Sequence, residues 1–581
     1  MRTPEERYFQ TSDGNRLFYR YWAPLTGAPK RALVLFHRGH EHSGRLQHIV
    51  DELDMPDMAM FAWDARGHGL SREAANSKPT IGLLIKDVDD FARHISTSFD
   101  IPEQEIGVIG QSVGAVLAAA WVHDYAPRIR CLVLAAPAFK VKLYAPFART
   151  GLRIMQSIRG DFHVNSYVKP RALTHDPERI ASYLADPLIR RPIEVDILLA
   201  LYTTADRVIE DAQAIRVPTQ MLISGADYVV HLGPQHRFFD RLGATVKEKH
   251  ILPGFYHDTL GEKDRAVAIA KVREFVTKQF AHGPIEDSLL DADRAGYTKD
   301  EFDRLRRPAS ILNGLNFGVT RLAMRTTGRL SEGIRLGLST GFDSGSTLDY
   351  VYRNQPAGIT PIGKAIDWGY LNAIGWRGIR IRKVHLERLL GQAMAALRAD
   401  GRAVRIADIA AGHGRYVLEA IEKQTTQPDS VVLRDFSDIN VREGSELIRH
   451  KNLESVARFE KGDAFERRAV AAIQPKPTLG VVSGLYELFP ENAPIRESLA
   501  GMAEAIEPRG YLVYTGQPWH PQLEMIARTL PSHRNGQPWI MRRRTQAEMD
   551  QLVEAAGFRK IEQLTDDWGI FTVSLAQRMG P

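Results

Sequence analysis

A serine flanked by glycines lies between an apolar run and an alanine-rich run, at Gly110-Gln-Ser-Val-Gly114. Residues 106–109 favour a strand and residues 115–121 favour a helix, so the sequence predicts a strand, a tight turn and a helix in succession. The glycines two positions on either side of Ser112 let the strand and the helix approach closely and allow a strained turn. In this context Gly-x-Ser-x-Gly indicates a nucleophile elbow, with the Ser112 hydroxyl standing above a sheet.

Short apolar runs alternate with helical patterns over the first half of the chain, and this alternation predicts an α/β domain. In such domains the active groups lie at the carboxyl ends of the strands, where this sequence places polar residues and glycines. The buried strands that we predict are 32–36, 58–63, 106–109, 131–134, 220–223 and 247–251.

Ser112, Asp227 and His257 each follow one of these predicted strands. A serine hydroxyl becomes a strong nucleophile when a histidine removes its proton, and a carboxylate orients that histidine. The backbone N–H groups of Val113 and Gly39 are the predicted donors to the oxyanion that forms. The chain therefore carries the groups needed for acyl transfer, in the order serine, acid, histidine.

The motifs around these residues resemble one branch of the α/β-hydrolases, the monoacylglycerol lipase/lysophospholipase or serine aminopeptidase-like hydrolases. The matching pieces include Glu41-His-Ser-Gly-Arg45 and Asp64-Ala-Arg-Gly-His-Gly-Leu-Ser71. The resemblance covers residues 10–280 and implies a hydrolase domain over 1–281, with a helical cap over about 137–214. It also implies that the substrate is a small-molecule or lysolipid ester.

Two positions leave details of this predicted site open. The family usually has glycine where this chain has Arg38, and the difference concerns the shape of the oxyanion loop rather than the N–H of Gly39. Asp258 is an alternative to Asp227 as the acid, although its position next to His257 makes side-chain pairing awkward.

Residues 282–394 form a linker and a basic segment between the two predicted domains. Arginines between positions 304 and 335 alternate with apolar residues at roughly helical spacing, which predicts a basic amphipathic helix. Such a helix can lie on anionic lipid, or it can pack its apolar face on a neighbouring domain and leave the arginines solvated. The segment contains no recognisable nucleic-acid-binding module, so no nucleic-acid partner is predicted.

A second glycine turn follows the apolar run 404–409, at Gly412 and Gly414. Glycines allow the backbone to approach a ligand closely at such a turn. A dinucleotide-binding turn would have a third glycine where this chain has Val417, so the pattern disfavours NAD. Asp408 lies at the end of the preceding run and belongs to the same pattern.

Two further acids follow the next predicted strands, Asp435 after 430–434 and Asp463 after a strand near 459. A carboxylate at the first of these strand ends can grip a ribose diol. The second is placed to hold an adenine amino group. With the glycine turn, these acids resemble the cofactor positions of class I S-adenosyl-L-methionine-dependent methyltransferases, which implies a Rossmann-like domain over residues 395–581.

Two later segments narrow the resemblance. Tyr514-Thr-Gly-Gln-Pro-Trp-His-Pro-Gln522 and Trp539-Ile-Met-Arg-Arg-Arg544 resemble a methyltransferase domain found fused to lysophospholipase-like hydrolases in bacteria. The arginine run in the second segment is predicted either to hold an acceptor phosphate or to be a solvated helix start. The candidates for contact with the methyl acceptor are Tyr486, Glu487, His413 and His520, each with a structural role as the alternative.

Composition limits the remaining classes of protein to which the chain could belong. The single cysteine, Cys131, lies in an apolar run, so neither a disulfide framework nor a metal site is predicted. The first residues lack the apolar region of a signal peptide, and no stretch approaches eighteen uncharged apolar residues. We therefore expect a cytoplasmic protein, and the basic segment adds the option of peripheral contact with the inner membrane face.

Together these patterns predict a bifunctional enzyme, an ester hydrolase joined to a methyltransferase that uses S-adenosyl-L-methionine. The methyl acceptor is unknown, and the fusion suggests that it is related to lipids. The alternative is a membrane-surface binding or regulatory protein in which one of the two domains is catalytically inactive.

Overall fold

The computed structural model of the protein describes residues 2–72, 79–144, 147–165, 168–285, 287–425 and 427–580, without the side chain of Leu312. The chain divides into two compact units, Met1–Asp287 and Ser288–Pro581. Residues 145–146 and 166–167 of the predicted cap lie outside the described residues.

The first unit is built around a sheet whose strands lie in the order β1-β2-β4-β3-β5-β6-β9-β10. The pairs β1–β2 and β2–β4 are antiparallel, and the other neighbours are parallel. The strands are β1 (Glu5–Gln10), β2 (Arg16–Trp22), β3 (Ala32–Phe36), β4 (Ala59–Trp63), β5 (Ile106–Gln111), β6 (Cys131–Ala135), β7 (His163–Asn165), β8 (Pro192–Glu194), β9 (Thr219–Ser224) and β10 (Lys247–Leu252). The helices are α1 (Gln47–Glu52), α2 (Ile81–Phe99), α3 (Val113–Tyr125), α4 (Ala148–Arg159), α5 (Pro177–Ala185), α6 (Val195–Glu210), α7 (Leu232–Arg241) and α8 (Ala266–Ala281).

All six strands predicted in this half are present, and their parallel arrangement confirms the predicted α/β-hydrolase fold. Every residue of β3, β4, β5, β6 and β9 is buried, because apolar clusters that include helices lie on both faces of the sheet. The segment from α4 to α6, with the short pair β7–β8, lies between β6 and β9 in the chain, where the cap is predicted.

The second unit has a sheet with the strand order β13-β12-β11-β14-β15-β17-β16. In the described part of this sheet β17 runs antiparallel to β15 and to β16, and the other neighbouring strands are parallel. The strands are β11 (Arg405–Asp408), β12 (Ser430–Asp435), β13 (Ala457–Lys461), β14 (Leu479–Val482), β15 (Tyr511–Gly516), β16 (Phe558–Thr565) and β17 (Thr572–Arg578). The helices are α9 (Tyr297–Arg306), α10 (Ile311–Arg325), α11 (Glu332–Thr340), α12 (Gly345–Arg353), α13 (Pro361–Leu371), α14 (Ile374–Ala399), α15 (Arg415–Glu422), α16 (Asp438–His450), α17 (Arg467–Ala471), α18 (Asn492–Ala505), α19 (Leu523–Thr529) and α20 (Gln546–Ala555).

This sheet, with apolar clusters on both faces, confirms the predicted Rossmann-like architecture. Helices α9 to α14 belong to the same compact unit as the sheet. Helix α14 packs its apolar stripe, which includes Leu386, Leu390 and Leu397, into the cluster formed with β11 and β12. The segment between the two predicted domains is therefore a helical layer of the second unit.

Helix α10 carries the apolar and basic pattern seen in the sequence. Its side chains at Ile311, Leu315, Val319 and Leu322 recur on one face and are between 63% and 85% exposed. The row is therefore not packed against the described part of the chain, and exposed arginines, including Arg321 and Arg325, lie beside it. Among the described residues, no helix combines the length and apolar character needed to cross a bilayer.

The arginine run at 542–544 is neither a phosphate site nor a solvated helix start, and both predictions for it are wrong. Arg542 pairs with Glu548, at 2.5 Å, and Arg543 pairs with Glu301, also at 2.5 Å. Arg544 donates to the carbonyl oxygens of residues 486, 489, 490 and 491. All three guanidinium groups are buried, so they join the loop after β14 to α9 and α20.

Candidate active sites

Ser112 lies in the turn between β5 and α3, with φ 52° and ψ −112°. This conformation is rare for a residue with a side chain and carries strain. A Cβ atom on Gly110 would lie 2.7 Å from Cα of Ala115, and one on Gly114 would lie 2.5 Å from the carbonyl oxygen of His37. Only glycine fits at these two positions, so the local sequence itself produces the strained turn that holds the buried serine between β5 and α3.

The structure brings the three predicted triad residues together. The hydroxyl of Ser112 donates to Nε2 of His257 over 2.7 Å, and Nδ1 of His257 lies 2.8 Å from Oδ2 of Asp227. Oδ1 of Asp227 accepts hydrogen bonds from the N–H groups of Val229 and Val230. Burial acts to raise the pKa of Asp227, but His257 and the two backbone donors outweigh it and hold that pKa below its ordinary value. The carboxylate is therefore kept charged beside the histidine.

The two predicted oxyanion donors lie beside this serine. A Cβ atom on Gly39 would lie 3.2 Å from Cγ2 of Val113, so the loop after β3 meets the first turn of α3. Neither N–H donates a hydrogen bond to another described residue. Two N–H groups on adjoining backbone segments are thus available next to the Ser112 hydroxyl.

Arg38 and Asp258, the two positions that sequence left open, contact each other. The buried guanidinium of Arg38 lies 3.1 Å from Oδ2 of Asp258 and 2.7 Å from Oε1 of Glu41. Asp258 also pairs with Arg179 of the cap. Asp258 is thereby engaged away from His257, and Arg38 holds the oxyanion loop from behind.

A cavity of about 890 Å³ opens onto Ser112 and His257. The strand ends supply its floor, and the cap supplies much of its wall. The apolar residues that the cap contributes to the lining include Leu152, Met155, Val164, Ile193, Ile197, Leu198 and Leu201. An apolar substrate would therefore lie between the cap and the serine.

The second glycine turn follows β11 in the other unit. Gly412 and Gly414 have φ of 58° and 74°, and a Cβ atom on Gly414 would lie 2.4 Å from Cδ1 of Leu433. Oδ2 of Asp435 accepts a hydrogen bond of 2.9 Å from the N–H of Gly412. The structure therefore joins this turn to the acid at the end of β12, as the spacing in the sequence predicts.

Asp408 lies beneath the turn rather than on its surface. Its carboxyl group is fully buried and accepts hydrogen bonds from the hydroxyl of Tyr416 over 2.6 Å and from the N–H of Ala410 over 3.2 Å. Burial raises the pKa of Asp408 from its ordinary value of 3.8 to about 7, and the charge of Asp435 acts in the same direction. Asp408 fixes the turn from inside.

Asp463 follows β13, the strand next to β12, and is exposed. Its Oδ1 accepts a hydrogen bond from the N–H of Phe465 over 2.8 Å. The ring of Phe436, directly after Asp435, is 71% exposed near the same edge of the sheet. Two carboxylates and an open aromatic face at adjacent strand ends fit the ribose and adenine of S-adenosyl-L-methionine, with the glycine turn beside them.

Helix α12, in the segment that sequence analysis treated as a linker, contacts the glycine turn. Cα of Gly345 lies 3.6 Å from the position that a Cβ atom on Gly412 would occupy. The hydroxyl of Ser346 lies 3.3 Å from Nε2 of His413. These contacts join residues far apart in the chain, and no motif in the sequence signals them.

A cavity of about 380 Å³ lies at the carboxyl ends of β14 and β15. Of the four candidates for acceptor contact, Glu487 and His520 line it. Tyr486 is buried with its hydroxyl 3.0 Å from that of Ser498, and His413 lies at the glycine turn. Sequence reasoning missed four other residues of this lining, Trp376, Arg382, Gln517 and Trp539. All four lie in segments that it singled out for charge or resemblance.

Comparison with known families gives one match to a hydrolase family and one match to a methyltransferase family. The family described as putative methyltransferase matches residues 272–578, and the family described as serine aminopeptidase, S33, matches residues 27–264. The first match begins before α9, so it includes the helical layer as well as the sheet of the second unit.

Three relatives illustrate these similarities. The chain is 54% identical over 580 residues to the uncharacterized protein YnbC of Escherichia coli (strain K12), covering 99% of both chains. It is 24% identical to a monoacylglycerol lipase of Mycolicibacterium smegmatis, over 47% of this chain and 97% of that one. It is 26% identical to the monoglyceride lipase of Homo sapiens, over 44% of this chain and 86% of that one.

We expect Asp408→Asn to stabilise the protein at alkaline pH. The raised pKa of Asp408 means that its favourable contribution is complete below pH 3.8 and is lost as the pH rises through about 7. The loss amounts to about 4 kcal/mol, and an asparagine does not undergo it. Calorimetric unfolding should show that the variant gains free energy of unfolding over the wild type, and that this gain is larger at pH 8 than at pH 5. Asp400→Asn, at a half-exposed carboxylate, is the control; a gain that is equal at both pH values would contradict the assignment.

Proposed function

Because the chain belongs to the putative methyltransferase family and carries a serine aminopeptidase-type hydrolase at residues 27–264, we propose that it is a bifunctional enzyme. Its first unit hydrolyses carboxylic esters, and its second unit transfers a methyl group from S-adenosyl-L-methionine. The observation that carries the proposal is the hydrogen-bonded series from Ser112 through His257 to Asp227, which opens onto an apolar cavity.

The proposed hydrolysis proceeds in two steps. Nε2 of His257 takes the proton of Ser112 as the serine oxygen attacks the ester carbonyl, and the N–H groups of Gly39 and Val113 hold the oxyanion. His257 then passes the proton to the departing alcohol. Water repeats the sequence on the acyl-serine and releases the carboxylic acid. Asp227 stays charged throughout and stabilises the protonated ring of His257.

The proposed substrate class is a small lipid ester, such as a monoacylglycerol or a lysophospholipid. The relatives of the first unit carry the name monoglyceride lipase, and the cap of this chain contributes an apolar wall to the cavity. The apolar lining suits an acyl chain, because burial of each CH₂ group contributes about 0.8 kcal/mol.

In the second unit the residues at the strand ends would hold S-adenosyl-L-methionine. Asp435 would accept hydrogen bonds from the ribose hydroxyls, and Asp463 from the adenine amino group. The turn at Gly412 and Gly414 gives close access to the backbone, and Asp408 keeps this turn in place. When bound, the cofactor supplies an activated methyl group.

We further propose that the exposed face of α10 contacts the surface of an anionic membrane. Four large apolar side chains are exposed in one row, and exposed arginines flank them on the same helix and before it. An apolar stripe with a basic border is the pattern of helices that lie in the membrane interface. Such contact would bring both units to a source of lipid.

Replacement of Ser112 by alanine should lower the kcat for 4-nitrophenyl butyrate and for a monoacylglycerol by roughly 10³-fold or more, because the nucleophile is lost. The wild type should also be labelled by a fluorophosphonate, and the variant should not. Ser98→Ala removes a serine from the exposed end of α2 and serves as the control. Unchanged ester turnover in the Ser112 variant would refute the triad.

Asp435→Asn should weaken S-adenosyl-L-methionine binding by roughly 10- to 100-fold, because a charged acceptor of hydrogen bonds is lost. Isothermal titration calorimetry measures this on the full chain. Asp438→Asn, three residues further along and 81% exposed, is the matched control. Absence of binding to the wild type would remove the methyltransferase half of the proposal and favour a protein with one inactive domain.

Leu315→Asp should reduce co-sedimentation with vesicles containing phosphatidylglycerol by roughly tenfold, because one large apolar side chain can no longer enter the interface. Vesicles of phosphatidylcholine alone should bind the wild type more weakly. Leu25→Asp, at an exposed apolar residue of the first unit, is the matched control. Equal loss in both variants would show that α10 is not the contact surface.

A further inference from the structure

We propose that the cavity of about 380 Å³ in the second unit is the binding site for the methyl acceptor, and that the acceptor is an uncharged, largely apolar molecule with one hydroxyl group. This assignment rests on the proposed methyltransferase function. It names the class of acceptor, for which neither the family description nor the relatives give any indication.

The position of the cavity relative to the glycine turn is the first argument. Gly484 and Gln517, which line the cavity, lie within two residues of the ends of β14 and β15, at the carboxyl edge of the sheet. Strand β14 pairs with β11, which leads into the glycine turn. Helix α12 borders both, since its Gly345 approaches Gly412 and its Leu348 lines the cavity. A ligand in the cavity would therefore lie beside a cofactor bound at the turn.

The wall of the cavity is the second argument. Helices α10, α11, α13 and α14 of the helical layer and the segment 520–541 close it around the strand ends. Aromatic, aliphatic and sulfur-containing side chains make up most of this wall, which favours a ring system or a short acyl chain. The apolar lining includes Met324, Ile334, Leu348, Trp376, Trp539 and Phe571.

Unpaired polar atoms in this wall are the third argument. Oε2 of Glu487, Nε2 of Gln517, Nε1 of Trp539, Nε of Arg382 and the hydroxyl of Tyr370 belong to lining residues, are buried and have no hydrogen-bond partner among the described residues. Leaving such atoms unpaired is unfavourable, because they have lost their hydrogen bonds to water. A hydroxyl group can donate one hydrogen bond and accept two, so it would pair with Oε2 of Glu487 and with two of the nitrogen donors.

The charges around the cavity are balanced, which favours an uncharged ligand. Nη1 of Arg382 lies 3.4 Å from Oε1 of Glu487, so these two charges offset each other. Both oxygens of Asp343 are engaged by Ser532 and His533. Burial lowers the pKa of His520 to about 4, and its Nδ1 accepts a hydrogen bond from a backbone N–H, so its ring is neutral near pH 7.

Glu487 is the residue that would contact the reacting group of the acceptor. Its free oxygen accepts a hydrogen bond from the acceptor hydroxyl and holds the oxygen atom of that group in place. Formation of the new O–C bond would break the S–C bond of the methyl donor, with its electron pair left on sulfur, and Glu487 would accept the hydroxyl proton.

Titration calorimetry on the full chain with 2-naphthol and 2-methylnaphthalene tests the proposal, since the two probes differ only by hydroxyl against methyl. We expect 2-naphthol to bind at least tenfold more tightly, because only it can pair with Glu487. In Glu487→Gln, which removes the charge and keeps the shape, this preference should fall to about threefold or less. Equal affinity of the wild type for the two probes would overturn the proposal.

Met324→Arg should abolish binding of both probes, because it places a charge in the apolar wall. Asn316→Arg is the matched control at an exposed position of the same helix, and it should bind the probes as the wild type does. Melting temperatures should show that both variants are folded. If Met324→Arg is folded and still binds 2-naphthol with unchanged affinity, the cavity is not the site.

Titration of S-adenosyl-L-methionine on the same samples separates this proposal from the one on which it rests. Cofactor binding to the wild type together with no binding of 2-naphthol would overturn the acceptor site and leave the methyltransferase. Binding of 2-naphthol without cofactor binding would remove the methyl transfer and, with it, the acceptor role. We expect both ligands to bind, and Met324→Arg to lose only the naphthol.

Discussion

The close contact of helix α3 with the end of β3 is the constraint on which the hydrolase site depends. At Gly114 the helix approaches the carbonyl groups of Phe36 and His37 so closely that a Cβ atom would lie 2.5 Å from the latter's oxygen. The loop after β3 therefore cannot shift without moving the helix that follows Ser112. This single contact fixes the proposed nucleophile and both proposed oxyanion donors relative to one another, and the ion pairs of Arg38 hold the loop from the other side.

In the second unit a glycine turn also packs closely on a neighbouring strand, but the groups that it presents are different. At Gly414 the turn packs on Leu433 of β12, and the N–H of Gly412 is bound to Asp435 at the end of that strand. Here the turn would present backbone and carboxylates to the proposed cofactor, whereas the turn at Ser112 presents a side chain. Holding the turn in this way requires a buried carboxyl group at Asp408, and burial raises the pKa of this group to about 7.

The sequence predicted those parts of both units that depend on local patterns. Buried strands follow from runs such as 32–36, and the positions of the acids and the histidine at the strand ends follow from their places after such runs. The packing of distant segments was not predictable in this way. The arginines at 542–544 are paired with Glu548 and Glu301 and with carbonyl groups of another loop, and nothing in the run itself distinguishes buried arginines from solvated ones. The contact of α12 with the glycine turn is of the same kind.

The exposure of the side chains of helix α10 explains why the apolar periodicity of its sequence did not determine its role. Thr320 and Met324 line the cavity, while Ile311, Leu315, Val319 and Leu322 are exposed, so the helix presents apolar groups in two directions. A helix on the surface of a globular protein buries one apolar stripe and exposes polar residues on the opposite side, whereas a helix that is apolar all round is buried. The helix therefore carries two apolar stripes, one of them with a basic border. Both are explained if the first lines an apolar binding site and the second, with its basic border, contacts a lipid surface. The proposed acceptor site and the proposed membrane contact thus depend on the same fifteen-residue helix, seen from its two faces.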